Sequence, residues 1–249
     1  MSGILSKKSA LVLGAGGLGS PALMVLASSG VGRIAVVDGS ALETSDLNRQ
    51  PLFTEADLGE RRGAAAARRL TRLFPAVNVE VVDGCFDEAS AAGLARSADV
   101  LVDGADDAPT KFLASDAALL AGRPLVHGGV LRYTAHLLTV IPGVTGCLRC
   151  LFETPPPPGS VPGVAEAGVL GPLAGLAGAL MGAEAVRLLL GERGAYAGRL
   201  LVYEARRARS RAVPVRIRDG CPACRAQREA VASAGAAAPG PGTPTAAGG

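Results

Sequence analysis

Short apolar runs alternate along this chain with longer segments whose apolar positions recur every three to four residues. Residues 10–13 (Ala-Leu-Val-Leu) form one such run, a helix-period segment follows through Ser29, and Arg33-Ile34-Ala35-Val36-Val37-Asp38 forms the next run. This order predicts a strand–helix–strand unit. The alternation then continues. Residues 60–74 predict a helix, 77–82 a strand, 88–96 a helix, 100–103 a short buried strand, 110–122 a helix and 124–127 a strand. Strands that alternate with helices predict an α/β fold with a Rossmann-like, mostly parallel sheet and helices on both faces. Ligands of such sheets bind at the C-terminal ends of the strands. Residues 133–141 and 198–218 predict further strands, a C-terminal antiparallel extension whose surface is basic.

Three segments break the alternation. Residues 154–163 are rich in Pro and Gly, with four consecutive prolines at 155–158, and predict a crossing loop. Residues 167–190 are apolar and rich in Gly and Ala, with no charge from Ala167 to Ala183. Gly171, Gly175, Gly178 and Gly182 give two G-x-x-x-G spacings, which permit close helix packing in lipid. The stretch is short, contains Pro172 and is flanked by Glu166 and Glu184. It therefore predicts a buried core or dimer-interface helix rather than a membrane span. From Ala230 the chain is Ala/Gly/Pro, which predicts a folded part over 1–229 and a disordered tail over 230–249.

Composition narrows the function classes. The net charge is +3 with scattered basic residues, aromatics make up 3%, and Trp is absent. Neither a basic groove nor a base-stacking platform is indicated, so nucleic-acid binding is not expected. Met1 to Ser9 are polar, with Lys7 and Lys8, and lack the apolar core of a signal peptide, which predicts a cytoplasmic protein. Four of the five cysteines fall in two C-x-x-C pairs, Cys147/Cys150 and Cys221/Cys224. Each pair lets a tight turn aim two thiolates at one tetrahedral ion, and two pairs complete the shell of a structural zinc site spanning 147–224. Redox pairs or disulfides are the alternatives, and a cytosolic context argues against them. Cys85 has no partner pattern and reads as a small buried residue.

Gly14-Ala15-Gly16-Gly17-Leu18-Gly19 lies between the first strand and its helix. Glycines there let the backbone approach a phosphate, and the helix N-terminus supplies free N–H groups. Asp38 closes the second strand, where a carboxylate binds ribose hydroxyls. Ser45, Asp46, Asn48 and Arg49 lie on the loop that follows, and Arg49 has the fork geometry to clamp phosphate oxygens. Asp106 and Asp107, just past the 100–103 strand, suit magnesium, which takes one or two carboxylates together with phosphates. A nicotinamide oxidoreductase needs neither a magnesium acid nor a triphosphate arginine, so the set favours ATP.

These motifs occur in one order over about residues 9–225. They are Gly14-x-Gly16-Gly17-Leu18-Gly19, Asp38, Ser45-x-Leu47-Asn48-Arg49-Gln50, Asp103-x-x-Asp106, Ala167-Gly168-Val169-x-Gly171-Pro172 and the two cysteine pairs. The chain resembles the ThiF/MoeB/HesA family of bacterial relatives of ubiquitin-activating enzymes. The resemblance implies a nucleotide-binding part at about 9–130 and a crossing loop at 152–166. It implies an enzyme that uses ATP and magnesium to adenylate the C-terminal glycine of a ThiS- or MoaD-type sulfur-carrier protein, in thiamine, molybdopterin or related sulfur transfer. It further implies a homodimer. Gly17 would cradle phosphate, Asp38 bind ribose, Ser45 to Arg49 line the nucleotide, Arg62 contact it and Asp106 hold magnesium.

Several positions depart from the family. Asp46 and Asp107 stand where it usually has Asn, and Arg62 where it has Lys. The N-terminal helix that reaches the neighbouring subunit has no counterpart ahead of the first strand. Val164 stands at the position of the crossing-loop cysteine that receives the carrier, so a separate sulfur donor such as a cysteine desulfurase or rhodanese is implied. The alternative is a family member with altered or lost adenylation that acts as a nucleotide- or carrier-binding protein. The terminal Gly248-Gly249 resembles a carrier's own end, and reads as low-complexity sequence.

Overall fold

The computed structural model describes residues 2–157, 159–161 and 163–236. The one-turn helix α1 (Ser2–Leu5) precedes β1 (Ser9–Leu13), α2 (Gly19–Ser28) and β2 (Arg33–Val37). Next come α3 (Arg62–Leu73), β3 (Asn78–Val81), α4 (Ala91–Arg96), β4 (Val100–Asp103) and α5 (Ala108–Ala121). The chain continues through β5 (Leu125–Leu131), β6 (Thr134–Val140), α6 (Leu148–Leu151), α7 (Val164–Ala167) and α8 (Gly171–Leu189). It closes with β7 (Arg199–Glu204), β8 (Arg209–Pro214) and α9 (Pro222–Ala236).

The strands form one eight-stranded sheet in the order β3-β2-β1-β4-β5-β6-β7-β8. Pairing is parallel from β3 to β5 and antiparallel from β5 to β8. The central strands are buried on both faces, which is why they read as continuous apolar runs. Val12, Val36, Val102 and Val126 pack on one face against Leu23 and Leu26 of α2 and Met181 of α8. Leu11, Leu13, Leu101 and Leu125 pack on the other face against Ala114, Ala118 and Leu119 of α5.

Four boundaries differ from the expectation, each for a local reason. The 88–96 helix begins at Ala91, because Asp87 and Ser90 bond each other in the turn before it. The 110–122 helix begins at Ala108, because Asp107 accepts from the Thr110 N–H at 2.8 Å and Pro109 sits in the first turn. The 167–190 helix divides: Gly168 takes φ of +74° and Val169 bridges to Arg132, so α8 starts only at Gly171. At the C-terminus, α9 is helical through Ala236, which corrects a disordered tail beginning at 230. Residues 237–249, including Gly248-Gly249, lie outside the described residues.

Helix α8 is long and apolar enough to cross a membrane, yet it packs on α2 and on the sheet. A Cβ at Gly182 would stand 2.7 Å from Val25 Cβ, and one at Gly178 would overlap the Leu18 carbonyl. The glycine spacing therefore serves backbone-to-backbone contact with α2. Glu184, 1% exposed, accepts from Thr139 Oγ1 at 2.7 Å and from the Ala195 and Tyr196 N–H groups at 2.8 Å. This carboxylate ties α8 to β6 and to the loop before β7.

Candidate functional site

The C-terminal ends of β1, β2 and β4 meet at the glycine-rich turn. Gly14 has φ of +80°, and a Cβ there would lie 2.8 Å from the Gly104 carbonyl oxygen, so the turn requires glycine. Gly19 is similarly forced, because its missing side chain makes room for the Gly14 carbonyl. Asp38, 8% exposed, accepts from the Ala15 N–H at 2.8 Å and from the Ser40 N–H at 2.9 Å. Its ion pair with Arg62 closes at 3.1 Å. The carboxylate is thus held at the mouth of the turn. Gly14, Gly16, Gly17, Asp38, Arg49 and Arg62 all line one cavity of about 790 Å³. Gly19 lies in the turn's packing rather than in the cavity wall.

The loop after β2 splits its predicted residues between the wall and its support. Arg49 and Gln50 face the cavity, whereas Ser45, Asp46 and Asn48 are not among its lining residues. Asp46, 5% exposed, accepts from Arg49 Nη2 and from Gln50 Nε2, each at 2.8 Å, and lies 3.8 Å from Arg62 Nη1. The extra carboxylate is therefore offset by two guanidinium groups and aims one of them. Asp107, exposed, lines the same cavity and caps α5 through Oδ1. Asp106, in the cavity wall and exposed, makes no hydrogen bond or ion pair among the described residues. Its carboxylate is free to take a cation. Gln50 Oε1 is buried without a partner in the same wall.

Four further residues were invisible as a group in the sequence. Asp103, fully buried at the end of β4, meets His127 Nδ1 at 2.6 Å in the register that pairs β4 with β5. Lys111 on α5 lies 3.4 Å from both Asp103 oxygens and donates to the Gly128 carbonyl at 2.7 Å. Burial works to raise the Asp103 carboxyl, but the Lys111 charge and His127 hold it below the ordinary carboxylate range. Burial pushes His127 down, so with Asp103 ionised the proton sits on Nδ1 and the ring is neutral. His136 on β6, with its ring centroid 5.6 Å from that of His127, is pushed down to about 3 by burial and then by its neighbours His127 and Lys111. Lys111, His127 and His136 all line the cavity. Their only signal in the sequence was Asp103, because strand pairing and the α5 turn supply the rest.

The far side of the cavity is roofed by Pro156, Pro157 and Val161 of the crossing loop and by Leu148 and Phe152 beside the first cysteine pair. The ligand atoms of Cys147, Cys150, Cys221 and Cys224 lie within 4.8 Å of one another. Their shorter Sγ–Sγ distances are 3.5–3.7 Å. Those are too long for disulfides and match the edge of a tetrahedron of sulfurs about 2.3 Å from one ion, about 3.8 Å. Burial and the neighbouring sulfurs push Cys224 up to about 12 and raise Cys147 as well, and a dication would offset that repulsion. The Arg218 N–H points at Cys150 Sγ from 3.4 Å, as the outer shell of a thiolate site does. The site is closed, with no open position for substrate. Cys85, expected to be buried, is exposed instead.

A mostly parallel sheet, with a glycine-rich turn and an acid at its strand ends over one cavity and four cysteines placed to hold a metal ion, is the architecture of the activating-enzyme class. Residues 4–223 match the ThiF family, and the chain belongs to it. It is 43% identical over 225 residues to the sulfur carrier protein adenylyltransferase of Thermus thermophilus, covering 88% of this chain and 83% of that protein. It is 40% identical over 222 residues to the SAMP-activating enzyme E1 of Haloferax volcanii, covering 89% and 82%. It is also 41% identical to the adenylyltransferase and sulfurtransferase MOCS3 of Bos taurus, of which it spans 49%. The crystal structure of Escherichia coli MccB with ATP shares the fold, with a TM-score of 0.79 over 90% of this chain and 68% of that one, at 20% identity.

Proposed function

We propose that the protein is an adenylyltransferase that uses ATP to activate the C-terminal glycine of a ubiquitin-like sulfur-carrier protein. The observation that carries this reading is one cavity shared by the glycine turn and the crossing loop. A nucleotide site alone would need only the first. The names of the relatives from Thermus thermophilus and Haloferax volcanii support the same substrate class.

In this reading Gly16 and Gly17 let the triphosphate approach the backbone, and Asp38 binds the ribose hydroxyls. Arg49, aimed by Asp46, and Arg62 neutralise phosphate oxygens in the cavity wall. Asp106 would hold magnesium with the phosphates, and the bound ion would supply charge neutralisation at the leaving pyrophosphate. The carrier's terminal carboxylate is already ionised at neutral pH, so no general base is required. One of its oxygens bonds to the α-phosphorus, the bond from that phosphorus to the bridging oxygen breaks, and the electron pair departs with pyrophosphate. The chain's own contribution is positioning and electrostatics. The four-cysteine site holds zinc as a structural ion, and the enzyme works as a cytoplasmic homodimer. With valine at position 164, the adenylate passes to a separate sulfur donor.

The test is ATP–pyrophosphate exchange with purified Gly-Gly carriers. Exchange should depend on the carrier and on magnesium, and Asp106→Ala or Arg49→Ala should lower it at least about a hundredfold, as losing one group on developing charge does. Carrier-independent exchange, or full activity of Asp106→Ala, would refute this assignment of roles.

A further inference from the structure

We propose that His136 is a substrate-binding residue that hydrogen-bonds the backbone of the carrier's tail just before its terminal Gly-Gly pair. The inference rests on the adenylation reading and adds to it a residue that fixes how the tail lies.

Strand order sets the lateral layout of the cavity. The glycine turn and Asp38 lie at the ends of β1 and β2, Asp106 follows β4, and His127 and His136 lie on β5 and β6. Neighbouring strands are about 4.8 Å apart, so His136 on β6 lies two spacings, about 10 Å, from the line of β4. An extended chain advances about 3.3 Å per residue. A tail whose carboxylate reaches the Asp106 end therefore comes abreast of His136 about three residues from its terminus.

That side of the cavity is poor in polar groups. From β5 onward, the described lining side chains are apolar or glycine except His127, His136 and Thr154. An extended peptide entering it brings backbone N–H and C=O groups that lose water and need partners. His127 has committed Nδ1 to Asp103. His136 makes no hydrogen bond to any described residue, so neither ring nitrogen is committed among them, although Nε2 is the ring atom nearest Gly129. Burial keeps the ring neutral, with its proton on one nitrogen and a lone pair on the other. Such a ring can donate to a peptide carbonyl and accept from a peptide N–H. It is also held in place: Gly129 pairs directly with His136, and the imidazole lies where a Gly129 side chain would be. A methyl at 129 would drive the ring out.

The chain contains two histidines, so ring signals are few enough to follow by NMR, with His136→Gln supplying the assignment. Adding a synthetic hexapeptide ending in Gly-Gly at millimolar concentration should shift the His136 ring signals. A non-hydrolysable ATP analogue should leave them nearly in place. A shift with the nucleotide and none with the peptide would overturn the proposal and give this wall to the base or ribose. In exchange assays, His136→Ala should raise the carrier's KM roughly tenfold with the KM for ATP unmoved, and His136→Gln, which keeps a donor and an acceptor, should restore most of the loss. An unchanged carrier KM in His136→Ala defeats the proposal while leaving adenylation intact. Absence of exchange in the unmodified protein defeats the adenylation reading, and the peptide titration still decides the role of His136.

Discussion

At the scale of single residues, the site is a set of charges that arrive already paired. Asp38 holds Arg62, Asp46 holds Arg49, and Asp103 holds Lys111. Each cation of the cavity wall is therefore oriented before a ligand enters, which limits the reorganisation binding would require. Asp46 at a position usually occupied by Asn is explained by this arrangement, since two guanidinium groups flank it. The buried histidines make stability depend on pH with a definite sign. His136 titrates near 3 in the folded chain and about 6.5 when unfolded, so below pH 6.5 the unfolded state binds a proton that the folded state does not. Unfolding free energy should then fall as pH drops from about 6.5 towards 3, and the downward shift of His127 adds in the same direction. The slope has an upper limit of about 1.4 kcal/mol per pH unit for each proton, lowered for the half-buried His136 by solvent. Thermal melts at pH 7, 6 and 5 should show this decline, and His136→Gln should flatten it. A melting temperature that rises on acidification over that window contradicts the assignment.

At the scale of elements, the decisive contact is α8 against α2. Helix α2 begins at the glycine turn, so its position fixes the phosphate cradle, and α8 braces it through Gly178 and Gly182. Alanine is a better helix former than glycine by about 1 kcal/mol, but overlap with a packed neighbour costs about 1–3 kcal/mol. A larger side chain leaves no doubt which term wins. Gly182→Leu should destabilise the protein by at least about 2 kcal/mol, a drop of roughly 4–8 °C or more in Tm for a domain of this size. A Tm equal to that of the unmodified protein would mean that the close approach of the two helices is not a constraint. The same substitution should raise the KM for ATP, because α2 carries the turn.

At the scale of the whole molecule, the four cysteines tie the segment after β6 to the start of α9, and both lie over α5. Leu148 and Phe152, beside the first pair, also wall the cavity, so the four-cysteine cluster supports the cavity wall on the side away from the glycine turn. Chelation should lower Tm by more than about 5 °C while leaving the Kd for ATP within about threefold, and a zinc-depleted protein with unchanged Tm would end the structural role. The local patterns were sufficient for the parallel part of the sheet, the glycine turn and the clustering of the cysteine pairs, and for bringing Asp38, Arg49 and Asp106 to one cavity, because each is set by residues near one another in the chain or by a spacing that chemistry requires. What local pattern could not contain is anything made by pairing across the sheet. The break at Gly168 depends on a bridge to Arg132, and the fate of Asp46 depends on Arg62 from another element. Lys111, His127 and His136 come from α5, β5 and β6, and become one polar wall, with Asp103 of β4 buried behind it, only when the strands align. Residue order alone was enough for the class of chemistry, since that needs only the right groups at strand ends. Tertiary structure decided which of those groups face the ligand and which hold the others in place, because burial and pairing are properties of the folded sheet.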